Sequence, residues 1–199
     1  MLAVTGETGV RARTRRAILA AAAQVFAKDR AASLSAVARE AGVGRTTLHR
    51  YFPDRAALVR GLAYEVVRET GEVLARADVE RGSVWSAIER VVYDFVAMGE
   101  RYYFLLHEHE LDSDTKLASS DSTALAPFAD LLRRGQEEGV LRSDLPVEWL
   151  LQVTDALVNA AWVAALEGTL ARAEAVRAVM LTLRGGIAPL GEPGSQVQG

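Results

Sequence analysis

The chain has 199 residues, half of them hydrophobic, and no cysteine. That is enough apolar material for one or two packed domains, and it excludes disulfides, zinc–thiolate sites and cysteine nucleophiles. The net charge of −3 hides an uneven distribution: residues 1–60 carry eleven basic and four acidic side chains (+7), while residues 61–199 carry twelve and twenty-two (−10). A basic head on an acidic body concentrates attraction for a polyanion at one end.

The opening MLAVTGETGV has no basic start followed by an apolar run, so no secretory signal is expected there. Apolar stretches are broken by Glu, Asp or Arg before reaching the length of a membrane span, so the expectation is a cytoplasmic protein with no membrane partner. Strand signals are nearly absent, and apolar residues recur at helical spacing almost throughout. The expected fold class is all-α, with about nine helices.

The first helix is expected over 14–28, capped by Thr14, with Ile18, Ala22 and Phe26 as its buried stripe. The second starts after Ser33 and ends at Ala41. Gly42 follows, where the chain must turn with a positive φ. The third spans Arg45 to Tyr51 and is ended by Pro53. Val37, Ala38, Ala41, Val43, Leu48 and Tyr51 supply the apolar or small side chains that a helix-turn-helix unit needs, and Ala38 lets its two helices approach closely. The outward set on the second helix of that unit is Arg45, Thr46, His49 and Arg50, donors with no acid among them, suited to phosphates and to base edges in a major groove.

Asp54 is expected to cap a long fourth helix reaching toward Ala75. A fifth runs from Ser83 to Arg101, followed by a short aromatic segment over Tyr102–Leu106. LDSDTKLASSDST, residues 111–123, reads as a polar loop. A seventh helix spans 123–138 and ends at Gly139. The eighth is opened by Pro146 and closed by Gly168, and the ninth runs from Leu170 to Arg184, ending at Gly185–Gly186.

TRRAILAAAAQVFAKD, SLSAVAREAGV, GRTTLHRYF and PDRAAL, in that order over residues 14–58, resemble the TetR family of bacterial transcriptional regulators, and RRGQEEGVLRSDLPVEWL, residues 133–150, looks like a helix-to-helix passage common in it. Three positions depart from the family pattern. Arg30 stands where a glycine usually follows the first helix, Gly44 where Ser or Thr often caps the recognition helix, and His49 where a tyrosine is common. The resemblance implies a helix-turn-helix DNA-binding head over 14–56, an effector-binding and dimerisation body over 57–188, and a homodimer formed through the last two helices. Residues 1–13 and 189–199 are expected to be a flexible arm and a disordered tail. The function implied is a ligand-responsive repressor released from a palindromic operator. An activator, a regulator controlled by a partner protein, or a helical enzyme are the alternatives, the last with no nucleophile–base pair, phosphate loop or metal cluster to support it.

Arg45 and Thr46, at the start of the recognition helix, are the candidates for base contact, with phosphate gripping the alternative for Arg45. The phosphate candidates are Ser33, Ser35, Thr47, His49, Arg50, Tyr51 and Arg55, the last matching a lysine that grips phosphate in many relatives. Arg11 and Arg13 lie in the expected arm, as a solubilising tail or a DNA-contacting one.

In the body, Gln152, Asp155, Asn159 and Trp162 form a polar-aromatic stripe that lines an effector cavity, crosses a dimer interface or faces solvent. Trp85, Tyr93, Phe104, His107 and Phe128 are the further cavity candidates, implying an apolar or aromatic small molecule. Leu157, Ala161, Val176, Met180 and Leu183 are candidates for a dimer surface, with coverage of the protomer's own core as the alternative. His107-Glu108-His109-Glu110 suggests a metal site, but side chains at i and i+2 of a helix point apart, so a solvated turn is expected and no metal or cofactor is assigned.

Overall fold

Alanine, leucine and arginine favour helix, and the chain is helical accordingly. The structure, a computed structural model, describes residues 9–108, 111 and 113–189. Its elements in chain order are α1 (Gly9–Lys28), α2 (Leu34–Glu40), α3 (Arg45–Tyr51), α4 (Arg55–Ala77), α5 (Val84–Tyr102), a short 3-10 turn η1 (Tyr103–His107), α6 (Thr115–Glu137), α7 (Val147–Leu166) and α8 (Arg172–Ile187). No strand occurs among the described residues. Residues 190–199 of the expected tail and residues 1–8 of the expected arm lie outside them.

Three expectations about helix ends are corrected. Arg11 and Arg13 lie within α1, because the helix starts at Gly9; the Thr14 hydroxyl donates to the Val10 carbonyl at 3.0 Å rather than capping the N-terminus. The polar stretch 111–123 is helical from Thr115 onward. Asp114 caps it, its Oδ1 accepting from the backbone N–H of Lys116 at 3.2 Å and of Leu117 at 3.0 Å. Serine and threonine there mark an exposed helical face, not a loop. Gly185 and Gly186 do not end α8, which continues until Ile187 is buried.

The chain divides into two compact units: one of the residues up to Glu69 with Glu100–Ser122, the other of Thr70–Gly99 with the residues from Thr123 on. In the first, Ile18, Leu19, Ala22 and Phe26 of α1 are buried with Val37, Leu48, Phe52, Leu58 and Leu62. Phe104 of η1 meets Phe26 edge-on, ring centroids 5.5 Å apart. Gly61 is required on α4, since a Cβ there would stand 2.8 Å from Phe52 Cε1 and 3.2 Å from Leu19 Cδ2. The Tyr102 hydroxyl donates to Glu69 Oε2 at 2.9 Å, and burial first, then the Glu69 carboxylate, pushes its pKa up.

In the second unit the core joins Val91, Val92 and Val96 of α5, Phe128 and Leu132 of α6, Leu150 and Val158 of α7, and Val179 and Leu183 of α8. Two arginines hold the turn between α4 and α5. Arg90 donates to the carbonyls of Ala77 (2.7 Å), Asp78 (3.0 Å) and Arg81 (2.9 Å), and Arg134 to those of Val79 (3.1 Å) and Glu80 (3.0 Å). Ala77 ends α4 and the other four carbonyls belong to the turn that follows it. At the end of α8 the backbone N–H of Arg142 donates to Ile187 O at 2.9 Å, and its guanidinium Nη1 to Gly186 O at 3.4 Å.

By length and composition, α7 is apolar enough to cross a membrane, with a mean hydropathy of 1.3, which corrects the expectation that no run approaches that length; its buried stripe of Leu150, Thr154, Val158 and Ala161 packs in the core of this unit. Trp162 of α7 lies against the backbone of α5, its indole N–H donating to Phe95 O at 2.8 Å. A Cβ at Gly99 would stand 2.1 Å from Trp162 Cδ1. Gly99→Ala is therefore expected to lower stability by about 1–3 kcal/mol through overpacking. Gly71→Ala in α4, where a Cβ meets nothing within 4 Å, is expected to raise it by about 0.5–1 kcal/mol. Paired denaturant titrations check both.

Candidate nucleic-acid interface

The helix-turn-helix forms as the spacing predicts. Ser33 caps α2, its hydroxyl oxygen accepting from the Ala36 N–H at 3.3 Å. The chain leaves α2 through Gly42 at φ +64°, where nothing surrounds the missing Cβ, so the requirement is the backbone angle and not space. The Val43 N–H returns to Ala38 O at 3.0 Å. α3 then begins after Gly44, which offers no side-chain cap. Its single fully buried residue is Leu48, and the Phe52 N–H closes it by donating to Leu48 O at 2.8 Å.

That anchoring leaves Arg45, Thr46 and Arg50 exposed, with Thr47, His49 and Tyr51 half-buried. Ser35 is exposed beside Ser33. The His49 Nδ1 lies 3.0 Å from the Pro53 carbonyl oxygen. A carbonyl only accepts, so Nδ1 carries the hydrogen and Nε2 gains a donor hydrogen only in the imidazolium form.

Sequence spacing missed part of this surface. The Arg11 guanidinium lies 5.9 Å from the Tyr51 ring centroid, that of Arg50 lies 5.7 Å from it, and that of Arg15 lies 5.5 Å from Phe52. The signal was the four-residue spacing of Arg11 and Arg15, which puts both on one face of a helix once α1 starts early enough. Arg55, by contrast, is turned toward protein partners. It donates to Arg30 O at 2.9 Å and Glu108 Oε1 at 3.1 Å, with its guanidinium 4.3 Å from the Phe26 centroid.

The effector candidates do not converge on one site. Phe104 lies in the first unit, buried against Phe26. Phe128 is buried against Phe95, centroids 6.3 Å apart. Tyr93 is 54 % exposed and faces outward into a cleft of about 530 Å³ shared with Arg76, Glu89 and Asp94. Trp162 spends its N–H on Phe95. Trp85 is half-buried beneath the Arg184 guanidinium, 4.6 Å from its centroid. His107 is exposed, its ring edge-on to Tyr103, and His109 and Glu110 lie outside the described residues.

Asp155 and Asn159 do pair, Asn159 Nδ2 donating to Asp155 Oδ2 at 3.1 Å. Desolvation lifts the Asp155 carboxyl above the usual carboxylate range even though the residue as a whole is exposed, and the Asn159 hydrogen bond opposes that. The Asn159 Oδ1 is buried without a partner among the described residues.

The dimer candidates Val176, Met180 and Leu183 are corrected. They are 7 %, 6 % and 0 % exposed within the protomer, because that face of α8 covers its own core. Ala161 is buried with them, while Leu157 lines an apolar groove of about 250 Å³ between α7 and α8 with Ala160, Ala164, Ala178 and Thr182. The large apolar residues exposed on these two helices are instead Trp149, Leu166 and Leu181.

The profile of "Bacterial regulatory proteins, tetR family" matches residues 18–62. The HTH-type transcriptional repressor LfrR of Mycolicibacterium smegmatis is 38 % identical over 184 residues, spanning 92 % of this chain and 95 % of that protein. The chain belongs to the TetR family. It is thus a helix-turn-helix, DNA-binding transcriptional regulator and not an enzyme. The HTH-type transcriptional regulator NfxB of Pseudomonas aeruginosa is 30 % identical over 133 residues, 65 % of this chain and 70 % of its own. Among solved structures, LfrR in complex with proflavine superposes with a TM-score of 0.77 at 36 % identity, covering 90 % of this chain and 99 % of that one. A family regulator from Marinobacter aquaeolei (TM-score 0.70, 18 % identity, 89 % and 96 % covered) shares the fold.

One outcome tests the interface of this TetR-family chain. Arg45→Ala is expected to cost about 1–3 kcal/mol on the preferred sequence and to flatten discrimination between sequences, read by fluorescence anisotropy on a panel of duplexes.

Proposed function

We propose that this regulator is a cytoplasmic repressor that binds a palindromic operator as a homodimer and is released by a small molecule. The observation that carries it is α3: seven residues, one buried anchor, and an outer face of donors without an acid. In this reading residues 14–56 are the DNA-binding head and 57–188 the effector and dimerisation body. Arg45 and Thr46 read base edges. Ser33, Ser35, Thr47, His49, Arg50 and Tyr51 hold phosphates, with Arg55 in reserve. Two heads reach successive major grooves about 34–36 Å apart.

The dimer surface is the outer face of α7 and α8. Trp149 (52 % exposed), Leu166 (49 %) and Leu181 (59 %) are exposed on these helices, which also line the apolar groove, and only 22 % of the most apolar stretch of α7 is buried within the protomer. A helix that apolar and that open is what a second copy would cover. Leu181→Arg is expected to turn a dimer into a monomer of 21.5 kDa in sedimentation and to weaken operator binding, because two heads no longer act together.

The effector reading rests on Asp155 and Asn159, a carboxylate and an unsatisfied amide oxygen on α7, and on the solved LfrR complex with proflavine. The ligand class is a flat aromatic carrying N–H donors, which those two acceptors suit. Proflavine itself is the probe: added to the protein on DNA from upstream of its own gene, it is expected to lower the bound fraction. Asn159→Leu is expected to weaken proflavine binding by about 1 kcal/mol or more, measured by fluorescence titration. A wild type that holds DNA unchanged at saturating proflavine would remove this ligand class.

A further inference from the structure

The first unit brings a carboxylate onto two of its own arginines. Glu108, just after η1, has Oε1 at 3.1 Å from Arg55 Nη2 and 3.8 Å from Arg30 Nε. Its side chain is 18 % exposed, while those of Arg55 and Arg30 are 38 % and 52 % exposed, so the carboxylate is sheltered and its arginines keep faces open to a ligand. The cluster is knit further: Arg55 donates to Arg30 O, and Arg30 Nη2 donates to His107 O at 3.4 Å. Three separate stretches meet there: the turn after α1, the start of α4, and the segment leading into α6.

To a guanidinium, a carboxylate and a phosphodiester present the same thing, a delocalised anion with two acceptor oxygens matched to its fork. An N–H that donates to one is not donating to the other. We propose that Glu108 is an internal anion that competes with DNA backbone phosphate for Arg55 and Arg30. This rests on the reading that the head grips the backbone from the start of α4. Glu108 pairing and phosphate contact then oppose each other reciprocally. Whatever seats Glu108 on its arginines weakens DNA binding, and whatever withdraws it strengthens binding.

Glu108→Gln keeps the shape and removes the charge. Binding to a non-specific duplex and to DNA from upstream of the gene, followed across a salt series, is expected to tighten. The slope of log affinity against log salt should steepen by about one to two per head, at ~0.9 per phosphate gained. Arg55→Gln in the same chain should remove most of that gain. Glu167→Gln, an exposed acid on the second unit, should leave the slope alone, which separates competition from net charge. An unchanged slope, or weaker binding at unchanged melting temperature, would overturn the proposal and make Glu108 a strut, with DNA binding by the wild type still standing. If the variant does not fold, the wild type decides: with carboxyl-labelled glutamate, the Glu108 resonance should move when duplex is added, and a resonance that stays put also overturns it. A wild type that binds neither duplex would sink the DNA reading and this proposal together.

Discussion

A seven-residue helix has no stability of its own in water, since nucleation costs more than so few hydrogen bonds return. α3 exists because Leu48 is sealed into the core of the first unit, with Val37 on α2 and Phe52 just beyond α3 buried alongside it. Everything the interface offers depends on that one anchor. It fixes which face turns inward, and so presents Arg45, Thr46 and Arg50 outward as a set. The turn at Gly42 and the small side chain of Ala38 serve the same end by setting how closely the two helices approach.

The anchor also explains what could be read from the amino-acid order. Val37, Ala38 and Leu48 announce a short-range arrangement in which each partner lies within about a dozen residues, and such local patterns survive without knowledge of the rest of the fold. Gly42 announces its own backbone angle. The body is another matter. Whether Val176, Met180 and Leu183 face a partner or their own protomer depends on which neighbours arrive from α5, α6 and α7, and periodicity yields a face without saying what covers it. An aromatic in a short segment, as Phe104 is, carries no mark of the unit it joins, and only its meeting with Phe26 shows it. The polar run before Thr123 concealed a helix because serine and threonine suit both turns and exposed helical faces, and Asp114 was the one cap that could have betrayed it.

Charge is arranged on two scales. Across the chain, the basic residues gather toward the N-terminal side and the acids lie beyond them, which favours approach to a polyanion by one end. Within the first unit the same charges are stacked on rings and tied to carbonyls. Arg11 and Arg50 lie near Tyr51, Arg15 near Phe52 and Arg55 near Phe26. These contacts restrain long side chains that would otherwise lose rotamer freedom on meeting a ligand. A restrained guanidinium has less entropy left to surrender, so a surface built this way is partly organised before any nucleic acid arrives.

The two arginines at the turn between α4 and α5 have a different physical character from those at the interface. Arg90 and Arg134 engage neutral carbonyl oxygens through short, directional contacts on partly sheltered atoms, whereas a cation facing the double helix works through a long-range field. Dissolved ions mask fields far more than they disturb a hydrogen bond at contact distance. The molecule therefore carries two kinds of fastening with unequal tolerance of brine. Concentrations that strip it from nucleic acid leave that corner of the body closed, and the protein comes away from its target still folded.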